Sequence, residues 1–152
     1  MANCKKYKGK MIKLERIFQK YTDCDHGLTL KQISEKLNEV NDSADRKTLY
    51  RDFNDLRGAG IEIQSRRNGK GTIYFVDDDL FTAEELEQII LLVKRSKLPP
   101  NLKKTEIIPK LLSLTSENRA KKIEANVKKK ISKEREKKQE MRKALAEEAF
   151  VP

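Results

Sequence analysis

The sequence predicts a mainly α fold with a small β-hairpin wing: a winged helix-turn-helix followed by a helical hairpin and a long charged C-terminal helix. Three observations predict it. The stretch DRKTLYRDFNDLRGAGI, Asp45 to Ile61, sets Leu49, Phe53 and Leu56 at i, i+4 and i+7, one apolar stripe of a helix with basic and polar residues opposite. The following run IEIQSRRNGKGTIYFV flanks a basic, glycine-bearing tip with Ile61/Ile63 and Ile73/Phe75, the alternation of a hairpin. Beyond Asp77 to Asp79 the apolar spacing is helical, and from Ser116 the composition shifts to Lys, Glu and Arg, which are good helix formers.

A chain of 152 residues holds one ordinary domain, or one small domain with a helical extension. Charged residues make up 38% and hydrophobic residues 37%, with no Trp, so the core must be small and many helices must keep one wet face. The net charge of +10 points to a polyanionic partner, nucleic acid before a membrane surface, although charge alone supports only nonspecific binding. It is unevenly spread: +6 over residues 1–76, −3 over 77–101 and +7 over 102–152. No apolar run approaches the roughly 20 residues of a membrane span, and MANCKKYKGK lacks the apolar stretch of a signal peptide, so the expectation is a cytoplasmic protein of the bacterial cytosol or nucleoid. Cys4 and Cys24 stand without a CxxC, with His26 as their only nearby histidine. Two free thiols, no zinc and a polar loop role for His26 are expected.

Taken in order, residues 1–10 carry Lys5, Lys6, Lys8 and Lys10 and read as a basic N-terminal arm, a groove or phosphate contact or else a solvated terminus. Residues 11–78 form the winged helix-turn-helix. Its first helix is signed by Met11, Ile12, Leu14, Ile17, Phe18 and Tyr21 at helical spacing, and Asp23, Asp25, His26 and Gly27 break it. Thr29 is the N-cap of a second helix that turns Leu30, Ile33 and Leu37 inward and ends near Val40. Asn41, Asp42 and Ser43 make the turn, Asp45 caps the third helix, and Gly58 and Gly60 end it. The acidic triplet Asp77 to Asp79 is expected to be a loop leading into a helix rather than a cation site.

Residues 80–115 read as a helical hairpin. Thr82-Ala83-Glu84-Glu85 is a capping box, with Leu86, Ile89, Ile90 and Val93 in register behind it; Pro99-Pro100 ends the connection, and Leu102 to Leu114 forms the second arm, with Pro109 near its start or dividing it. These helices carry more aliphatic surface than a three-helix wing domain needs to cover. A mutual hairpin accounts for part of the surplus and a dimer interface would account for the rest. Residues 116–152 form a charged helical tail, supported by i,i+4 pairs such as Glu124/Lys128. Its apolar spacing breaks any heptad seam, leaving a basic helix that adds DNA affinity or pairs with its twin, or a solvated fraying end.

The candidate DNA-binding residues follow from this layout. On the helix after Asp45 the outward face reads Arg46, Lys47, Tyr50, Arg51, Asn54 and Arg57; all but Arg57, together with Thr48, enter the DNA-contacting set, since such side chains pair with phosphates or base edges in the major groove. Asp52 and Asp55 would be repelled by phosphate, so they are assigned to pairing within or between helices. Thr29 and Lys31 sit at a helix N-terminus that can face a phosphate, and Arg66, Arg67 and Lys70 at the wing tip would grip the backbone or minor groove. No cofactor, metal or small-molecule ligand is signed. With His26 as the single histidine, no HExxH, no phosphate loop and no paired carboxylates beside a nucleophile, no catalytic constellation is present, and no strand carries the aromatic set that stacks RNA bases.

In the order LTLKQISEKL, DRKTLYRDFNDLRGAGI, IYFV and LFTAEELEQIILLVKRSKLPPNLKKTEIIPKLLSLTS, roughly residues 10–126, the chain resembles the N-terminal winged helix-turn-helix region of WYL-domain transcriptional regulators. The resemblance implies a homodimeric, sequence-specific regulator binding double-stranded DNA, often a repressor. The departure is at the C-terminus: that family continues into a ligand-sensing WYL domain, whereas here Val127 begins a Lys/Glu helix. Either a regulator without a ligand-sensing domain or a truncated chain is expected. The alternative from another class is an interaction protein or antirepressor that pairs with a full-length WYL-type regulator through residues 80–115.

Overall fold

A computed structural model describes residues 2–69 and 71–150, and the fold is mainly helical with one two-stranded antiparallel hairpin. The chain divides into two compact units: Met1–Phe81 with Ser113–Arg119, and Thr82–Leu112 with Ala120–Pro152.

In the first unit, α1 (Ala2–Tyr21), α2 (Leu30–Glu39) and α3 (Arg46–Gly58) precede β1 (Gln64–Asn68) and β2 (Gly71–Phe75), the winged helix-turn-helix order. The core joins one stripe from each helix: Leu14, Ile17 and Phe18 from α1, Ile33 and Leu37 from α2, Leu49, Phe53 and Leu56 from α3, closed by Leu28, Ile63, Tyr74 and Val76. Phe53 is its hub, meeting Phe18 edge-on at 5.5 Å and Tyr74 at 5.0 Å between ring centroids. The turn between α2 and α3 uses Asn41 at φ 59°, a left-handed conformation that Asn tolerates better than most residues. From α1, Lys13 Nζ donates to Val40 O (2.9 Å) and Asp42 Oδ2 (3.2 Å), and Ser34 Oγ donates to Ala44 O (3.1 Å), fixing both ends of that turn.

The strands pair from Gln64 with Phe75 through Asn68 with Gly71, leaving a two-residue tip whose Gly69 has φ 60°. In β2 the expected alternation fails: Ile73, Tyr74 and Phe75 are all buried, as is Val76 after it. The reason is a third segment on β2's far edge. Leu28 and Tyr74 exchange both backbone hydrogen bonds (2.9 and 2.8 Å), so β2 is central, and while Tyr74 and Val76 join the core, the other face is covered where Gly27 lies against Ile73 and Arg66 over the Phe75 ring.

Two expectations change here. Residues 2–10 are not a separate arm but the first turns of α1, and the buried side of that helix reaches back to Lys10, which pairs with Asp52. Within that stretch the side chains of Cys4, Lys5 and Lys6 lie outside the described residues. Ile12, assigned inward from spacing, points to solvent and is 52% exposed.

In the second unit, α4 (Ala83–Arg95) starts with the expected capping box: Glu85 N–H donates to Thr82 Oγ1 (3.2 Å) and Thr82 N–H to Glu85 Oε2 (2.9 Å). Leu86, Ile90 and Leu91 are its buried apolar positions, with Ile89 and Val93 only half-buried. The second arm, α5, is shorter than expected, Lys104–Leu112, since Leu102 is held in a turn by its N–H bond to Pro99 O (3.0 Å). It contains Pro109 without being divided, and none of its residues is fully buried. α6 (Glu117–Glu148) groups with the first unit up to Arg119 and with the second from Ala120. Its Ile123 and Val127 are buried, and Lys130 pairs with Glu87 of α4 while Asn126 Nδ2 donates to Glu87 Oε2 (3.3 Å), so the front half of the expected tail is a packed element. That pairing with Lys130 is the main reason the Glu87 carboxyl is held below its ordinary value.

Candidate nucleic-acid interface

Asp45 opens α3 as an N-cap, accepting from the Thr48 N–H at 2.7 Å, and that hydrogen bond is the chief cause holding its carboxyl below the ordinary range. The cap fixes the helix phase. With Leu49, Phe53 and Leu56 buried, Arg46, Lys47, Tyr50, Arg51 and Asn54 are all exposed, and Thr48 is half-buried beside the cap. The expected contact set of α3 therefore shares one side of the molecule's first unit, with Thr48 at its margin.

The acidic residues of α3 turn away from that face. Asp52 is fully buried and approached by Lys10 Nζ at 2.6 Å, and the Tyr7 hydroxyl donates to Asp55 Oδ2. The phenol of Tyr7 is raised above its ordinary value first by that hydrogen bond. Both carboxylates are thus held by α1, as the pairing assignment anticipated, and the outward face is left cationic and polar.

Several side chains of the face are pre-set by local bonds. Arg46 Nη2 and Nε reach the Tyr50 hydroxyl at 3.3 and 3.4 Å, with the guanidinium 5.7 Å from the ring centroid. The Tyr50 phenol is held below its ordinary value, first by a hydrogen bond from Tyr74 and then by Arg46; burial, followed by the bond to Tyr50, raises Tyr74. Asn54 Oδ1 accepts from Arg57 Nη1 at 3.2 Å. Arg57 itself folds back, donating through Nε and Nη2 to Ile63 O at 3.1 and 3.0 Å, so it ties α3 to the wing entry while staying exposed.

At α2 the Thr29 hydroxyl is occupied. It accepts from the Gln32 N–H (3.2 Å) while Gln32 Oε1 accepts from the Thr29 N–H (2.9 Å), a capping box that uses two of the amides a phosphate would otherwise meet. The Leu30 and Lys31 amides remain at that end, with the Lys31 side chain exposed. On the wing Arg66 and Arg67 are both exposed, and Arg66 lies 5.3 Å over the Phe75 ring and donates through Nη1 to Cys24 O (3.0 Å). Arg66 so braces the wing base. Lys70 lies outside the described residues.

Two carboxylates of the acidic triplet, Asp77 and Asp79, hold a cation from well along the chain, Arg119. Arg119 Nη1 meets Asp79 Oδ2 at 2.5 Å, its Nη2 meets Asp77 Oδ1 at 3.2 Å, and the Thr115 hydroxyl donates to Asp79 Oδ2 at 2.6 Å. Burial opposes the charge on Arg119, but these carboxylates outweigh it and raise its pKa. Beside it, Ser116 Oγ donates to the buried Asp23, whose other oxygen takes the Asp25 and His26 N–H groups and faces His26 Nδ1, each at 2.9 Å. Cys24 is a free thiol whose sulfur accepts from Arg119 Nη2 at 3.2 Å. Ligand atoms of Asp23, Cys24 and Asp25 fall within 4.8 Å of one another, but Asp23's oxygens are already bonded within the loop and to Ser116.

Sequence reasoning missed three of these residues. Tyr7 and Lys10 continue the helical spacing of Leu14 and Phe18 backwards, a signal visible in the chain; Tyr74, on the strand, had no such signal. No family model matches the chain, and neither a curated protein nor a solved structure matches it.

Proposed function

We propose that this chain is a sequence-specific double-stranded DNA-binding transcriptional regulator, acting as a homodimer and as a repressor. One observation carries the reading. α3 follows a helix-turn-helix turn and exposes Arg46, Lys47, Tyr50, Arg51 and Asn54 together, while Asp52 and Asp55 of the same helix are withdrawn onto α1. A helix of this kind enters a major groove with its outward residues at base edges, the exposed wing cation Arg67 meets the backbone, and Lys31 with the open α2 amides meets a phosphate. The resemblance of residues 10–126 to WYL-type regulators supports the same reading. Among the described residues no helix is long and apolar enough to cross a membrane. A cytoplasmic setting belongs to the proposal.

Residues 80–115 are the proposed dimer contact, a reading supported by Leu92, which is 64% exposed, and by Ile107, Ile108, Leu111 and Leu112, which are only half-buried within their own unit. The same surface favours a second reading, an antirepressor that pairs with a full-length regulator. Selection of duplexes from a random pool at about 0.15 M salt tests the first. A palindromic site is expected, and Arg51→Ala should reduce discrimination between it and random duplex. Unchanged discrimination would overturn the assignment of α3, and no enrichment together with capture of a larger regulator would favour the second reading.

A further inference from the structure

We infer that the second unit carries its own binding groove for a nucleic-acid phosphate backbone, between the C-terminal end of α4 and the middle of α6. A cleft of about 540 Å³ lies there, lined by Lys94 and Arg95 from α4 and by Lys128, Arg135 and Lys138 from α6, with Ile131 among them. The acidic residue lining it, Glu134, is engaged by Arg95, so the cleft keeps a large cationic excess. Lys104 Nζ donates to Lys94 O at 2.6 Å, which covers one of the carbonyls at the α4 end that would repel an anion.

Chemistry selects the occupant. Lys128, Arg135 and Lys138 stand at i, i+7 and i+10, on one side of α6 and spread over about 15 Å of helix at about 1.5 Å per residue. A duplex strand offers a phosphate every 3.4 Å or so of its axis, so such a row meets successive phosphates. The cleft is open, its α6 cations are exposed, and Lys128 holds only a loose exposed pair with Glu124 at 3.6 Å. Exposed cations in a row, without a buried fixed donor, suit a repeating polyanion better than one discrete anion. Base identity is not read here; the groove adds sequence-independent affinity, and it rests on the reading of the chain as a DNA-binding protein.

The test separates this groove from both α3 and bulk charge. In the full chain, Lys128→Gln/Arg135→Gln/Lys138→Gln clears the cleft, and Lys129→Gln/Lys133→Gln/Lys137→Gln removes the same charge from the opposite side of the same helix. Binding to random duplex is followed against salt, where each phosphate contact contributes a slope of about −0.9. The cleft triple should flatten the slope by about 2 to 3, and the opposite-side triple should leave it near the parent value. Equal effects of the two triples, or no effect of either, would overturn the groove, as would saturable displacement of duplex by inorganic phosphate at constant ionic strength. If the cleft triple loses helix content by circular dichroism, Lys94→Gln/Lys128→Gln reads the same cleft with an expected flattening of about 1 to 2. Arg51→Ala is read by sequence discrimination and these variants by random duplex, so failure of either claim leaves the other's result distinct.

Discussion

Lys10 Nζ lies 2.6 Å from Asp52 Oδ2, with the lysine side chain 9% and the aspartate 0% exposed. The contact lacks hydrogen-bond alignment, and both carboxylate oxygens are without a hydrogen-bond partner among the described residues. The ammonium is therefore the main compensation for a charge enclosed beneath α3. Removing one partner of a buried pair typically costs about 3–5 kcal/mol, whereas replacing both with apolar groups is often neutral or better. Lys10→Met should lose about 3 kcal/mol or more in urea unfolding, and Lys10→Met/Asp52→Leu should recover most of it. A double variant as unstable as the single one would show that the pair is held by more than its mutual charge.

Gly27 leaves no room for a methyl group. A Cβ there would stand 2.9 Å from Ile73 Cβ and 3.0 Å from Ile73 Cδ1. The first of these atoms is fixed to the backbone of the central strand and cannot rotate away. Gly27→Ala should cost about 1–3 kcal/mol by overpacking, read as a fall in Tm. Adding Ile73→Val, which removes Cδ1 but keeps Cβ, should restore only a part.

The Asp23 loop makes stability pH-dependent. Burial works against the Asp23 carboxylate, but the bonds from Ser116, His26 and the Asp25 amide outweigh it and hold the pKa below the ordinary value. A depressed folded pKa means that the stabilisation is complete above the unfolded value, near 3.9, and disappears as pH falls below it through the folded value. The urea midpoint of the parent should thus exceed that of Asp23→Asn by a constant amount above about pH 5, with the gap narrowing below about pH 4. A gap independent of pH across that range would contradict the bonding described.

These residues also mark what could be read from the chain. Local signals sufficed where the physics is local: the caps at Asp45, Thr29 and Thr82 stand where Asp and Thr precede helical stripes, and the wing follows from glycines between apolar runs. The outward face of α3 followed from Leu49, Phe53 and Leu56, because phase alone decides which side is wet. Partners far apart in sequence were not legible. Arg119 with Asp77 and Asp79, Ser116 with Asp23, and Lys10 with Asp52 are brought together only by the fold, and a charged residue in a charge-rich chain carries no mark of whether it will be buried. The N-terminal arm was misjudged for the same reason: four lysines suggested solvent, while the stripe through Tyr7 and Lys10 belonged to α1.

Under the proposed DNA-binding reading, Tyr50 is the residue on which local bonding and base reading meet. Its hydroxyl accepts from Arg46, and Tyr74 is the first cause holding its phenol below the ordinary value, so it couples the exposed guanidinium to the buried strand. Tyr50→Phe keeps the ring beneath Arg46 and removes the acceptor. Because the site is exposed, Tm should stay within a degree or so of the parent, and affinity for random duplex should hold. Discrimination at one base position should weaken, with about 1–3 kcal/mol at stake for a well-oriented arginine. Arg46→Ala should lose specificity at that same position, and Tyr50→Phe/Arg46→Ala should be no worse than Arg46→Ala alone, since the two side chains act as one unit. Binding to a panel of single-base variants of the selected site measures all three proteins. Additive losses at separate positions would mean that Tyr50 and Arg46 contact the DNA independently, and that the bond between them does not set the arginine's aim.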